Sequence, residues 1–262
     1  MQTIDIWNQL NLYRRKVISL FFLFLLSSGF AMGQARFNEI SKAGQDEKLV
    51  SYGFFLGGHT NYWRLKYSES FAEQLFNVNE RSVQSIMPYY SPGFSLGFLV
   101  VFRLHDQVNF LITPKVGFYE YRTDINSFVP DPDPYTQEES SLYTTSTVIN
   151  ESTMVEIPIL FKYKAQRFNN SRMFFTAGGS FMFRTKDQEE ADVEDIGTLG
   201  RDFTVDLGIG FDMYFKFFKF SPEVRFSHGL LNMYRPEATD PTYSSAIESL
   251  RRKSITLYLN FQ

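Results

Sequence analysis

The sequence predicts an all-β fold: an eight-stranded antiparallel transmembrane β-barrel of the outer-membrane type, preceded by a cleavable signal peptide. Three observations carry this reading. One is a long two-residue alternation of apolar and polar side chains that returns along the chain; the others are a basic, apolar and then small-residue N-terminus and a regular exchange of short and long connections. The clearest alternation runs from Phe203 to Tyr214. Phe203, Val205, Leu207, Ile209, Phe211 and Met213 take one phase, and Thr204, Asp206, Gly208, Gly210, Asp212 and Tyr214 the other. Successive side chains of a strand point to opposite faces, so one face is hydrocarbon and the other polar or small. A tilted strand needs roughly 9–11 residues to cross a bilayer, which this segment supplies.

At the N-terminus, Arg14, Arg15 and Lys16 precede an apolar run from Val17 to Leu26, followed by the small-residue site Ala31-Met32-Gly33. That is the charge, core and exit of a secretory signal, and the run is shorter than the ~20 residues a helical anchor requires. Residues 1–33 are therefore read as signal peptide, 34–50 as a periplasmic N-terminal segment and 51–262 as the barrel.

Strand one is placed from Tyr52 to Tyr62, where Gly53, Gly57 and Gly58 allow curvature and leave its phase open. Strand two, Gly93 to Arg103, turns Phe94, Leu96, Phe98, Val100 and Phe102 to lipid. The turn Leu104-His105-Asp106-Gln107 leads into strand three, Asn109 to Tyr121, with Phe110, Ile112, Pro114, Val116 and Phe118 outward and Thr113, Lys115, Gly117 and Tyr119 inward. In strand four, Thr153 to Lys164, Val155, Ile157, Ile159, Phe161 and Tyr163 face out, and Glu156, Pro158, Leu160, Lys162 and Lys164 face in. Strand five, Met173 to Arg184, brings Thr176, Gly178, Ser180 and Arg184 to the interior. Strand six is the alternation already described. Strand seven sets Phe218, Phe220, Pro222, Val224 and Phe226 against Lys219, Ser221, Glu223, Arg225 and Ser227. In the last strand Ile255, Leu257, Leu259 and Phe261 alternate with Thr256, Tyr258 and Asn260.

Connections after strands two, four and six are short, whereas those after one, three, five and seven span 63–91, 122–152, 185–202 and 229–253. Outer-membrane barrels pair short periplasmic turns with longer external loops, so both mature termini are expected in the periplasm. A soluble sandwich shares the alternation but would bury the apolar phase that a barrel turns to lipid.

The chain has no Cys, so burial and hydrogen bonding must hold an exported protein together. Its 29 Phe and 15 Tyr coexist with a mean hydropathy of only −0.22, as expected when apolar residues occupy alternate positions. Removing residues 1–33 takes three of 26 basic residues and one of 29 acids, leaving 23 and 28 and a net charge of −5. That balance argues against nucleic acid as a partner.

Several segments resemble the PorT family: Ser91-Pro92-Gly93-Phe94 with Leu96-Gly97; Glu156-Ile157-Pro158 with Lys162-Tyr163-Lys164 and Asn169-Asn170; and Gly208 to Tyr214 followed by Phe218-Lys219-Phe220-Ser221-Pro222-Glu223. Further matches are Ser227 with Gly229-Leu230 and Asn232, and Tyr243 with Ala246-Ile247 and Leu250. The resemblance covers most of the mature chain. It implies an outer-membrane barrel of the Bacteroidetes, required for type IX protein secretion and, in gliding species, for motility. Its implied partners are other type IX secretion subunits, alongside outer-membrane lipid and lipopolysaccharide.

An eight-stranded barrel is just wide enough inside for its own side chains, so the expected role is scaffold or accessory subunit rather than conduit. The interior would be filled by Lys115, Glu156, Lys162, Arg184, Asp206, Asp212, Glu223 and Arg225. Such charges either pair structurally or form an ion or proton path, for instance Glu156 with Lys162, or Asp206 and Glu223 with Arg225. Alternative roles are a general barrel for envelope integrity or adhesion, and a rim hydrolase or acyltransferase. The last would draw on His59 and His228, with Ser227 and Asp240 not far in sequence, while His105 falls in a turn. The run Asp187 to Asp195 holds six acids and reads as a solvated face or as a Ca²⁺-attracting or lipopolysaccharide-bridging loop without EF-hand order, and Asp131-Pro132-Asp133-Pro134 reads as a rigid loop. Arg251-Arg252-Lys253 would meet lipid phosphates at the outer rim or fix the strand's position. No catalytic set, cofactor motif or metal-ligand spacing stands out in the sequence.

Overall fold

A computed structural model of the chain describes residue 46 and residues 48–74, 83–128, 143–185, 196–240 and 244–262. The signal peptide read at 1–33, the segment up to residue 45, the acidic run Asp187 to Asp195 and the loop Asp131 to Pro134 lie outside the described residues. Ten β-segments lie within them: β1 (Val50–Tyr67), β2 (Val83–Tyr89), β3 (Ser91–Arg103), β4 (Val108–Ile112), β5 (Lys115–Phe128), β6 (Tyr143–Lys164), β7 (Ser171–Arg184), β8 (Arg201–Tyr214), β9 (Lys219–Gly229) and β10 (Ile247–Phe261). A short helix, α1 (Glu69–Gln74), follows β1. Among the described residues no helix is long and apolar enough to cross a membrane.

The ten segments make eight staves. β4 and β5 are one strand interrupted at Thr113 and Pro114, because proline has no N–H for the ladder. The carbonyl of Pro114 still accepts from the Phe98 amide at 3.0 Å, and the Thr113 amide donates to the Pro158 carbonyl at 3.1 Å, which carries the wall across the break. β2 and β3 are likewise separated only by Tyr90, and both pair with β5. Every neighbouring pair is antiparallel, and β1 closes the ring by pairing with β10 on one edge and β3 on the other.

Closure settles the phase of strand one: Tyr52, Phe54 and Leu56 are exposed, and Phe55, Gly57, His59, Asn61 and Trp63 point in. The outward phase of the other staves is equally apolar, from Phe94, Leu96 and Phe98 to Phe203, Leu207, Phe211, Ile255 and Leu257. Outer aromatics stack across strand pairs, as in Phe94 with Phe118 at 4.7 Å and Phe54 with Phe261 at 5.2 Å between ring centroids.

Strands extend into all four stretches predicted as loops. β1 reaches Tyr67, β5 reaches Phe128, β6 begins at Tyr143, β8 at Arg201 and β10 at Ile247, and β2 fills part of 63–91. These extensions carry the opposite polarity, which is why the transmembrane pattern misses them. In β10 the outward Glu248, Arg251 and Lys253 are polar and the inward Ile247 and Leu250 buried, whereas from Ile255 onward the outward residues are apolar. The inward faces of the extensions converge on an apolar cluster that includes Trp63, Ile86, Tyr121, Ile125, Met182, Met233 and Leu250. Phe71 of α1 joins it, stacked on Tyr67 at 4.6 Å, and the Ser68 hydroxyl caps the helix through the Phe71 amide at 3.1 Å.

Leu207 sits near the middle of β8 on the lipid side. Leu207→Arg is expected to cost about 2–4 kcal/mol in lipid, read from the urea midpoint in vesicles. A change under about 0.5 kcal/mol would mean that this phase does not face acyl chains.

Candidate functional site in the barrel lumen

Because β5 and β6 pair with Lys115 opposite Glu156, sheet register alone sets these two inward side chains against each other. Lys115 Nζ lies 2.8 Å from Glu156 Oε2. Arg252 Nη1 reaches Glu156 Oε1 at 2.9 Å from the far wall, and the Tyr119 hydroxyl donates to the same oxygen. Lys115 also donates to the Tyr258 hydroxyl at 2.7 Å, and the Arg252 guanidinium lies 5.2 Å from the Tyr119 ring centroid. Glu156 and Arg252 are 3% and 2% exposed, so two cations and one carboxylate share a site with almost no water. Asp202 Oδ2, 3.8 Å from Arg252 Nε, supplies the second negative charge.

A second cluster lies toward the short turns. Lys162 Nζ donates to Asp212 Oδ1 at 2.6 Å, the Ser221 hydroxyl donates to the same atom at 2.5 Å, and the ammonium sits 3.6 Å from the Phe174 ring centroid. Between the two, Arg225 Nε pairs with Glu223 Oε1 at 2.9 Å, two residues away on one face of β9. Thr176 donates to that oxygen at 2.6 Å, and Arg225 packs 4.3 Å from the Tyr258 ring centroid. Gly208 makes this possible: a Cβ there would stand 2.6 Å from Glu223 Oε1. Asp206 accepts from the Ser180 and Thr204 hydroxyls.

Seven of the eight charges expected inside are buried there: Lys115, Glu156, Lys162, Asp206, Asp212, Glu223 and Arg225. Arg184 is the exception, only partly buried, with its guanidinium on the Thr198 hydroxyl at 2.6 Å beyond the end of β7. The partners also differ from expectation. Glu156 pairs with Lys115 and Arg252, not with Lys162, because six residues along a strand span ~20 Å. Arg252, expected at the lipid rim, is interior because β10 starts at Ile247 and its alternation carries residue 252 inward. Lys164, Arg172, Lys219 and Asp202 also contribute buried or largely buried charge that the sequence reading left out of the network.

The two histidines considered for rim catalysis do not meet. His59 points inward, 3.1 Å from Asn61 Oδ1 and stacked on Tyr119 at 4.5 Å, whereas His228 points outward on β9 beside inward Ser227. His59 and His228 therefore lie on opposite faces of the wall. His105 accepts from the Gln107 amide in the turn after β3. Among the described residues no group of His, Asp or Glu is arranged to hold a metal ion.

Glu156→Gln leaves Lys115 and Arg252 buried without a full counter-charge, and is expected to cost about 3–5 kcal/mol by urea unfolding. Glu248→Gln, which breaks the exposed 2.7 Å pair with Lys66, is expected to cost about 0–1 kcal/mol. Equal losses would contradict a dry, paired interior.

Comparison with known proteins adds a family. The family profile described as "Outer membrane protein beta-barrel domain" matches residues 20–235. No curated protein matches the chain. Similar solved structures include Neisserial surface protein A, at 8% identity over 81% of this chain and 98% of that one with a TM-score of 0.39. OprG of Pseudomonas aeruginosa is 8% identical over 80% of this chain and 94% of that one, TM-score 0.38. Ail of Yersinia pestis, solved with the heparin analogue sucrose octasulfate, is 8% identical over 82% and 99%, TM-score 0.32.

Proposed function

The chain belongs to the outer-membrane β-barrel domain family, and from that premise we propose that it is a non-enzymatic outer-membrane subunit of the type IX protein secretion machinery, acting as a scaffold rather than a conduit. The observation that carries the scaffold reading is the filled lumen. Ion pairs and aromatic rings occupy the membrane half, and the void among Leu99, Lys162, Lys219 and Arg225 amounts to about 10 Å³, room for one water. Above it the apolar cluster around Trp63, Ile125 and Met233 closes the end where the strands extend. Among the described residues neither layer leaves a polypeptide-wide path, which supports the scaffold reading.

The secretion assignment rests on the resemblance of Ser91–Gly97, Glu156–Lys164 and Gly208–Glu223 to PorT-like proteins. On this reading the turns at 104–107, 165–170 and 215–218 lie in the periplasm, as do both mature termini, and the strand extensions stand outside the cell. Contact with partner subunits then falls to those turns, to the N-terminal segment or to the external extensions. The buried ion pairs act as internal braces.

Crosslinking in native membranes is expected to capture other type IX secretion subunits reproducibly. Capture of lipid or lipopolysaccharide alone would move the protein to the envelope-integrity class. Purified protein in planar bilayers is expected to show no large, stable conductance, and such a conductance would overturn the scaffold reading.

A further inference from the structure

At the end of the barrel carrying the short turns, four strand ends aim donors at one point. Lys164 closes β6, Arg172 follows the first residue of β7, Tyr214 closes β8 and Lys219 opens β9. The side chains of Lys164 and Lys219 are 1% and 3% exposed and that of Arg172 11%, so these are not freely solvated surface cations. Arg172 is held in its orientation, with Nε donating to the Ala165 carbonyl at 2.5 Å and Nη2 to the Asp106 carbonyl at 3.0 Å.

The anion they share comes from outside the sheet. Asp46, in the segment that leads into β1, places its carboxylate 3.6 Å from Arg172 Nη1, 3.7 Å from Lys219 Nζ and 3.8 Å from Lys164 Nζ, and it accepts a hydrogen bond from the Tyr214 hydroxyl. Asp212, the next acid inward, pairs with Lys162 at 2.6 Å and also faces Lys219. Counting Lys162, two carboxylates thus face four cations, and the two oxygens of Asp46 serve four donors. The ionic distances exceed hydrogen-bond length, so the carboxylate is too small for the cradle around it. A tetrahedral phosphate dianion supplies twice the charge and twice the oxygens. Burial on its own would raise the Asp46 carboxyl, but the Tyr214 hydrogen bond, Lys219 and Lys164 hold it below the ordinary range, which marks the cradle as strongly anion-favouring.

We propose that Lys164, Arg172, Lys219 and Tyr214 form a phosphate-binding site that Asp46 fills as a stand-in, so that a phosphate and the Asp46 carboxylate exclude each other there. The site lies at the mouth of the barrel, apart from the ion pairs around Glu156, and does not depend on the secretion reading. Phosphate in solution and the phosphate of a lipid headgroup present the same chemistry to it.

The test uses the full mature chain in non-ionic detergent, titrated at constant ionic strength with inorganic phosphate and, in a second arm, with a short-chain phosphatidic acid, with affinity read by isothermal titration calorimetry. Asp46→Asn is expected to bind phosphate at least tenfold more tightly than wild type, and adding Lys219→Met to it is expected to remove at least tenfold. Binding in the first arm assigns the site to free phosphate, and binding in the second alone to a lipid headgroup. The proposal is overturned if Asp46→Asn binds neither ligand more tightly than wild type. It is also overturned if the Lys219→Met double variant, with its β-sheet circular dichroism intact, keeps the affinity of Asp46→Asn.

Discussion

Hydrogen-bond closure is the constraint on which the rest of this molecule depends. In hydrocarbon an unpaired amide or carbonyl has no water to turn to and costs several kcal/mol, so a sheet that crosses a bilayer cannot keep an edge. β1 removes the edge by pairing along Phe54 to Tyr67 with β10 and along Val50 to Asn61 with β3. The interruption at Pro114 is compatible with closure because the neighbouring carbonyl and amide groups find partners in Phe98 and Pro158. Once the ring is shut, each side chain has only two destinations, and alternation along the strand assigns them.

The inside of so narrow a ring then sets its own terms. A buried carboxylate or ammonium survives there only with a partner of opposite charge and with its remaining hydrogen-bond capacity met. The lumen meets the first condition across staves and the second for most of its charged atoms, Asp212 Oδ2 and Arg252 Nε being exceptions. Glu156 on β6 answers Lys115 on β5 and Arg252 on β10, and Asp212 on β8 answers Lys162 on β6. Tyr119, Tyr258, Thr176 and Ser221 take up oxygens and protons that the ion pairs leave over. Aromatic rings and aliphatic groups fill the remainder, with Phe55, Leu99, Leu111, Leu160 and Tyr258 in one contiguous patch.

Much of this was legible in the sequence, and the gaps have physical causes. Eight staves and the inward or outward sense of seven followed from alternation, since lipid rewards one phase consistently over the length of a crossing. β1 resisted because Gly53, Gly57 and Gly58 give neither phase a signature, and only pairing on both edges fixes it. Seven of the eight interior charges could be placed by parity of position, but their partners could not. Pairing depends on which staves face one another across the lumen, and Arg252 and Glu156 lie 96 residues apart. Arg252 was hidden further by the run Arg251-Arg252-Lys253, in which three like charges mask a period of two.

Outside the bilayer the same strands continue under reversed polarity, and this reversal is itself evidence of where the membrane ends. β1 turns Phe54 and Leu56 outward, then Thr60, Arg64 and Lys66; β5 turns Phe118 outward, then Glu120, Arg122 and Asp124. Inward, the order runs from Lys115 through Tyr119 and Tyr121 to Ile125. A single solvent on the outer face would not invert a strand's preference midway; two solvents meeting there, hydrocarbon below and water above, do so without any change of backbone. The inversion also explains why the extensions are stable in water, since their buried side carries Trp63, Ile86, Ile125, Met233 and Leu250 as an ordinary apolar core. Among the described residues the interior therefore holds two kinds of filling end to end, ion pairs with aromatic and aliphatic side chains within the membrane and a largely apolar cluster above it.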